Sequence, residues 1–157
     1  MCHYCGCREI PLIKEFIAEH ESVTDLAGGA LRALDSGDRD SAAELVARME
    51  RELRAHWQGE EQGLFEVMSG DAEYAGYIDA LVREHRELAA FLGRVDLGRS
   101  EDVVRLREAV DELYHHIAKE EDGLFPASLT ALSGDEWDRS MKAWRRAHPD
   151  ARGGLGR

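Results

Sequence analysis

The sequence predicts an all-α protein, an up-down-up-down four-helix bundle with a short C-terminal fifth helix. Apolar residues recur every three or four positions through four long stretches, which is the spacing of one face of an α-helix. Short segments rich in glycine, serine and aspartate separate these stretches, at Ser36-Gly37-Asp38, Ser69-Gly70 and Asp96-Leu97-Gly98. Because short connections place consecutive helices side by side and antiparallel, the pattern favours a bundle.

The first two helices each carry polar residues inside an apolar stripe. The first is predicted to hold Pro11 in its first turn and to run toward Leu34, with His20 in its inner stripe. Its Gly28-Gly29 pair indicates either a kink or a close helix contact. The second is predicted to start at the capping-box spacing Ser41-Ala42-Ala43-Glu44, and its inner face includes His56 and Glu60.

The third and fourth helices repeat this arrangement. The third starts near Asp71 and places His85 among apolar residues, and the fourth starts near Ser100 and places His116 and Glu120 on its inner face. Pro126 predicts that the fourth helix kinks or ends near Phe125.

A short fifth helix follows Ser133. Its Trp137, Met141 and Trp144 recur at helical spacing, so we expect them to pack on the bundle. We therefore divide the chain into a cysteine-containing segment (1–9), a helical bundle (10–148) and a flexible tail (149–157).

The composition and charge of the chain limit the classes of function and partner that it can have. A chain of 157 residues is long enough for one domain with its own core, and the formal charge of −12 argues against nucleic acid and anionic membrane surfaces as partners. No apolar run approaches the roughly 20 residues that span a bilayer, and the N-terminus shows no apolar signal core. We expect a cytoplasmic protein with a small neutral or anionic ligand.

All three cysteines, Cys2, Cys5 and Cys7, lie in the first seven residues, next to His3. An odd number at a chain end does not indicate a disulfide framework. A reactive, mobile segment is the favoured interpretation, and a metal or redox role is the alternative.

One ten-residue pattern, HxxxEExGLF, occurs twice, at residues 56–65 and 116–125. Residues four apart share a helix face, so each histidine points the same way as its glutamate. A Glu-His dipeptide precedes each copy, at Glu19-His20 and Glu84-His85. The combined donors form two matching sets of three, which predicts a dinuclear metal site made by His20, His56, Glu60, His85, His116 and Glu120.

A buried histidine on an apolar stripe is usually a satisfied core residue, but that explanation would leave two uncompensated carboxylates inside the bundle. In the metal-free protein, repulsion between these carboxylates is expected to raise the pKa of at least one. We expect Glu61 and Glu121 to be solvated rather than to orient histidines, and His115 and His148 to be peripheral. Gly63 and Gly123 occupy equivalent places where a close neighbour is expected.

These motifs resemble the hemerythrin HHE cation-binding domain over roughly residues 10–130. The resemblance implies two iron ions in an oxo- or hydroxo-bridged centre, with the six donors above as ligands. Oxygen-carrying members have a further histidine one turn before the position of His85, where this chain has Leu81. From that difference we expect an exchangeable coordination position beside the metal that His85 would bind.

Three functions follow from the resemblance. The centre would react with O2, peroxide or nitric oxide, or bind and sense such a molecule, or the protein would deliver iron, as in iron–sulfur cluster repair. Small diatomic molecules or peroxide are the expected partners. The sequence does not predict the oligomeric state.

Overall fold

The computed structural model describes residues 6–153, so Cys2, His3 and Cys5 lie outside the described residues. Five helices account for most of the described chain: α1 (Ile13–Asp35), α2 (Arg39–Gly59), α3 (Ala72–Leu92), α4 (Ser100–Lys119) and α5 (Gly134–Ala147). No strand is present among residues 6–153. The predicted four-helix bundle with a fifth helix is confirmed, while the domain boundaries stay a prediction. No helix in the described part is both long and apolar enough to cross a bilayer.

Two helix starts differ from the prediction. Helix α1 begins two residues after Pro11, because Leu12 has a φ of 75° and a ψ of −55°. These angles are those of a γ-turn, which cannot continue a helix. Helix α2 is capped by Asp38 instead of Ser41, since the Asp38 carboxylate accepts hydrogen bonds from the Ser41 amide at 3.0 Å and from its hydroxyl at 2.7 Å.

Helices α2 and α4 both change to π-helical turns at the glutamate of the repeated motif. The π segments are Glu60–Phe65 and Glu120–Leu124, and each continues as α-helix, over Glu66–Met68 and Phe125–Ala131. The fourth helix therefore does not end near Phe125, which was one of the two predicted outcomes. Its regular α-helical turns are instead interrupted by the π segment just before Phe125. Pro126 falls in the first turn of the new α-helical segment, where its missing N–H is tolerated.

The apolar core is divided into two clusters, one at each end of the six predicted ligands. On α1 and α3 the apolar stripe is interrupted by the histidine alone, whereas on α2 and α4 it is interrupted by the histidine and the glutamate that follows it. Apolar residues resume beyond each interruption. The Leu53 cluster includes Val23, Met49, Leu53, Phe91, Leu106 and Leu113. The Phe125 cluster includes Phe16, Leu64, Phe65, Leu81, Leu124 and Phe125. Polar side chains between the clusters are thus enclosed by apolar layers on both sides.

The close approaches predicted at Gly63 and Gly123 are present, and a close approach is also found at the Gly28-Gly29 pair, where a kink was the alternative. A Cβ at Gly29 would lie 3.3 Å from Leu45 of α2, which supports a close helix contact at the Gly28-Gly29 pair. A Cβ at Gly123 would lie 2.7 Å from the Tyr77 hydroxyl, and one at Gly63 would lie 3.0 Å from the Ser140 carbonyl oxygen of α5.

We expect Gly63→Ala to lower the free energy of unfolding by roughly 1–3 kcal/mol, because the methyl group meets backbone that cannot rotate away. Gly76→Ala is the matched control. Gly76 lies inside α3, and apart from its chain neighbours and the backbone of its own helix no atom lies within 4 Å of the place that the added methyl group would take. The substitution should therefore stabilise the protein by roughly 0.5–1 kcal/mol. Urea denaturation of both variants measures the difference. Equal effects would contradict the close seating of α5.

Candidate metal centre

The structure brings all six predicted ligands together in the middle of the bundle. His20 comes from α1, His56 from α2 and His85 from α3, while His116 comes from α4. Glu60 and Glu120 are the first residues of the two π segments. Each of the six residues is at most 5% exposed. Their donor atoms form two overlapping groups: His20, His56, Glu60 and Glu120 in one, and His85, His116 and Glu120 in the other.

The four imidazoles form two pairs whose Nε2 atoms face each other. The distance between these atoms is 3.0 Å for His20 and His56. It is 2.9 Å for His85 and His116. We refer to these as the first and the second imidazole pair. Each pair joins two helices, α1 with α2 and α3 with α4.

The two buried carboxylates lie between the imidazole pairs, and each divides its oxygens between them. Glu60 places Oε1 3.3 Å from His56 Nε2 and Oε2 3.5 Å from His85 Nε2. Glu120 places Oε2 3.1 Å from His20 Nε2 and Oε1 2.8 Å from His116 Nε2. None of the four oxygens has a hydrogen-bond partner in the described part of the chain.

A second set of glutamates surrounds the imidazoles and accepts hydrogen bonds from their Nδ1 atoms. The distances from Nδ1 to the carboxylate oxygen are 2.6 Å for His56 with Glu19, 2.8 Å for His85 with Glu61, 2.7 Å for His116 with Glu84, and 3.0 Å for His20 with Glu121. Each glutamate lies next to a predicted ligand on one helix and holds the histidine of the neighbouring helix. The contacts therefore form a closed ring through α1, α2, α3 and α4.

Two members of this ring correct the sequence prediction. Glu61 and Glu121 were expected to be solvated, but they contact His85 and His20. The π segments supply a physical reason. A π-helical turn contains more residues than an α-helical turn, so successive residues are separated by a smaller angle. Two consecutive glutamates can then both reach the interior, one between the pairs and one behind a histidine.

The outer hydrogen bonds determine which imidazole nitrogen is available to a metal. When Nδ1–H donates to a carboxylate, the neutral ring carries its lone pair on Nε2, which here points inward. Within each pair two such lone pairs would face each other at about 3 Å, beside buried carboxylate oxygens without donors. The facing lone pairs and the carboxylate oxygens repel one another unless a cation or added protons lie between them. Neutral imidazole nitrogens and carboxylate oxygens are suitable ligands for a transition metal.

The pKa shifts of the buried histidines and of Glu120 also indicate that this site favours positive charge. Burial lowers the pKa of His56, but the Glu60 charge and the Glu19 hydrogen bond outweigh it and raise that pKa well above its usual value. Burial raises the pKa of Glu120, but the charge of the nearby His116 outweighs this effect and holds that pKa well below its usual range. For Glu120, the direction is opposite to the raised glutamate pKa expected from carboxylate repulsion.

Residues from both ends of the chain contact the outer ring on the side of the first imidazole pair. Arg8 Nη1 lies 3.2 Å from Glu121 Oε2. At the other end, Trp144 Nε1–H donates to Glu19 Oε1 at 2.9 Å, and His148 Nε2 lies 2.6 Å from the same oxygen. His148 is therefore less peripheral than the sequence predicted, although it contacts a ring glutamate and no predicted ligand.

A cavity of about 260 Å³ adjoins the second imidazole pair. It is lined by both members of the pair, by apolar Trp57, Leu88 and Leu113, and by polar Glu84, Glu87, Glu112, His115 and Lys119. His115, which the sequence placed outside the ligand set, lies in this wall, and its Nδ1 faces the Asp111 carbonyl oxygen at 2.8 Å. Leu81, one turn before His85, is instead buried in the Phe125 cluster.

Comparison with known families identifies the class of the chain. The sequence profile of the Hemerythrin HHE cation binding domain matches residues 12–128, which span the four bundle helices. The chain belongs to this family. Searches of curated proteins and of solved structures gave no significant match. The family, together with the buried His/Glu cluster, defines a helical metal-binding protein.

Proposed function

We propose that this protein is a non-haem di-iron protein that binds or reacts with O2, peroxide or nitric oxide. The observation that carries the proposal is the division of each buried carboxylate between the two imidazole pairs. A carboxylate with one oxygen toward each pair can bridge two metal ions, and the pairs supply two nitrogen ligands for each ion. The six ligands are His20, His56, Glu60, His85, His116 and Glu120.

The remaining chemistry depends on which molecules reach the centre. Bound iron would supply the redox chemistry, and the chain controls access, orientation and water content. Apolar clusters cover the site along the bundle axis, whereas the cavity adjoins His85 and His116. Two imidazoles and two shared carboxylates would not fill the coordination of an octahedral ion. We therefore place the exchangeable position beside the second imidazole pair.

One side chain of the cavity wall, that of Trp57, is consistent with a ligand that accepts a hydrogen bond. Trp57 stacks on His85, with 4.9 Å between the ring centroids and 21° between the planes. Its buried Nε1–H makes no hydrogen bond among the described residues. A donor is thus present next to the second pair, where an oxygen-containing ligand would bind. The charge of −12 supports a small molecule rather than a nucleic acid as the partner.

The proposal is tested by metal analysis and visible spectra of the anaerobic protein before and after addition of O2, nitric oxide and peroxide. We expect bound iron, a spectrum that changes with at least one of these molecules, and a change that azide also produces. Reversal when O2 is removed would indicate carriage or sensing, and peroxide turnover would indicate an enzyme. Iron whose spectrum responds to none of these ligands would contradict the proposal.

We expect Leu88→Phe to slow the binding of azide and nitric oxide about tenfold without changing the iron content, because the larger ring narrows the cavity next to His85. Leu97→Phe is the control, since Leu97 belongs to the same core cluster but does not line the cavity. Stopped-flow spectroscopy of both iron-loaded variants gives the rates. Equal rates in the parent and Leu88→Phe would show that ligands enter elsewhere.

A further inference from the structure

The C-terminal helix α5 contacts the candidate metal centre through one carboxylate, that of Glu19. The two oxygens of Glu19 have different partners. Oε2 accepts the hydrogen bond from His56 Nδ1 at 2.6 Å. Oε1 contacts Trp144 Nε1 at 2.9 Å and His148 Nε2 at 2.6 Å. Two side chains from the end of α5 therefore fix the rotation of the carboxylate that orients His56.

The last residue of α2 and the π segment that follows it leave space for α5 on either side of Glu60. A Cβ at Gly59 would lie 3.3 Å from Trp144 Cδ1 and 3.5 Å from His148 Cε1. A Cβ at Gly63 would lie 3.0 Å from the Ser140 carbonyl oxygen. Two glycines four residues apart remove the side chains that would hold α5 away from the ligand-bearing turn. Ser140, Ala143 and Trp144 are each at most 4% exposed at this contact.

The second imidazole pair has no corresponding contact with α5 among the described residues. Its outer carboxylates are Glu84, which pairs with Lys119 of α4, and Glu61, whose side chain is 37% exposed. The family match ends at residue 128, before α5 begins at Gly134. The first pair thus depends on an element outside the matched domain, whereas the second pair is supported within the bundle.

We infer that Trp144 and His148 are positioning residues of the metal centre, which hold Glu19 against His56 and thereby retain the metal at the first imidazole pair. This inference rests on the proposed function. It makes the two metal positions unequal: the first is secured by α5, and the second faces the cavity. Hydrogen-bonded partners of metal-binding histidines typically contribute 10–100-fold to metal affinity, and they do so by fixing the ring orientation.

The test uses the full chain with Trp144→Phe and His148→Phe combined. Phenylalanine keeps an aromatic ring at both positions, whose centroids are 4.5 Å apart, but removes both contacts to Glu19 Oε1. Iron-loaded protein is mixed with a chelator, and release is followed over time. We expect one of the two irons to leave roughly 10–100-fold faster than in the parent, with the other released at the parental rate.

Two single variants serve as controls. Trp137→Phe changes another tryptophan of α5, which packs on the Phe125 cluster without contacting Glu19, so it reports on general weakening of the helix. Lys119→Met removes the cation that pairs with Glu84, so it should speed the release of the second iron instead. Equal release in the parent and the double variant would overturn the inference, as would equal acceleration by Trp137→Phe.

A measurement without metal separates this inference from the proposed function. In metal-free protein labelled with ¹⁵N, the Nδ1–H of His56 should give a hydrogen-bonded imidazole resonance that is shifted or lost in the double variant and retained in Trp137→Phe. Failure of the parent to bind two irons would contradict the proposed function, and the resonance would still test the positioning of His56. An unchanged resonance in the double variant would overturn the role of Trp144 and His148.

Discussion

Glu120→Ala is expected to remove most of the iron from both positions and to lower the iron content more than any single histidine substitution does. Glu120 Oε2 lies 3.1 Å from His20 Nε2, while Oε1 lies 2.8 Å from His116 Nε2 and 3.6 Å from His85 Nε2. Its carboxylate therefore serves both imidazole pairs. Its removal would also leave Glu60 as the single anionic ligand for two cations.

His56→Ala is the variant with which Glu120→Ala is compared, because it should affect one metal position and not both. His56 belongs only to the first imidazole pair, so its loss should deplete about one of two irons and leave the second position largely filled. His115→Ala is the matched control, because His115 adjoins His116 in sequence but faces the Asp111 carbonyl oxygen. Iron per chain in the purified variants is measured. Depletion by His115→Ala, or normal content in Glu120→Ala, would contradict the ligand assignment.

Removal of iron is expected to lower the melting temperature by about 8–16 °C. Binding of a ligand at a thousand times its dissociation constant stabilises a protein by about 4 kcal/mol, and each kcal/mol shifts Tm by about 2–4 °C in a chain of this size. The loss arises because the inward lone pairs and the two buried carboxylates are left without their cations. Equal melting of metal-free and iron-loaded protein, measured by calorimetry, would contradict a structural role of the metal.

The difference in melting temperature should widen from pH 6 to pH 8. In the metal-free protein the neighbouring carboxylates raise the pKa of His20, His56, His85 and His116 against the opposing effect of burial. A histidine whose folded pKa exceeds its unfolded value of about 6.5 stabilises the fold fully below pH 6.5. This stability is lost as the pH rises through the folded value. Metal binding requires unprotonated ligands, so it stabilises most where protons are lost.

Acid should destabilise the metal-free protein through Glu120. Its pKa is lowered well below the usual value, so its contribution is present above about pH 4.5 and is lost as the pH falls through the lowered folded value. The metal-free protein should consequently be most stable at mildly acidic pH, between these two losses. A metal-free melting temperature that rises steadily from pH 6 to pH 8 would contradict the directions assigned to the histidines.

The fold and the grouping of the six polar side chains followed from the sequence because both depend on helical periodicity. His20 and His85 interrupt apolar stripes, and the repeated HxxxEExGLF pattern places a histidine and a glutamate on one face. Apolar residues before and after these polar side chains turn the same face of each helix toward the core. Because all four helices do this, their polar side chains meet in the middle of the bundle. The geometry of the loops does not enter this step.

The outer ring could not be predicted in full because it depends on helix geometry that the apolar pattern does not encode. The assumption of regular α-helical turns placed Glu61 and Glu121 about 100° away from the inner stripe. The π segments at Glu60 and Glu120 change that angle. The repeated Glu-His and Glu-Glu dipeptides were visible in the sequence, but the exchange of contacts between neighbouring helices exists only in three dimensions.

The contact between α5 and Glu19 was missed for a different reason. The sequence indicated that Trp144 packs on the bundle. An apolar stripe, however, does not show which surface of the bundle the helix contacts, or which polar group the Trp144 indole N–H reaches. Gly59 at the end of α2 and Gly63 in the π segment mark the site where α5 packs, since a side chain at either position would crowd α5. The four-residue spacing of these two glycines could have indicated where α5 packs. Of the two, only Gly63 was predicted from the sequence to have a close neighbour.

The central claim is that two metal ions share the two buried carboxylates. Its most direct test is anaerobic titration of the metal-free protein with ferrous iron, with bound and free iron separated at each step. We expect saturation at about two irons per chain, and saturation at about one iron per chain in His56→Ala. Saturation of the parent at a single iron, with no further uptake by His85 and His116, would contradict the dinuclear centre.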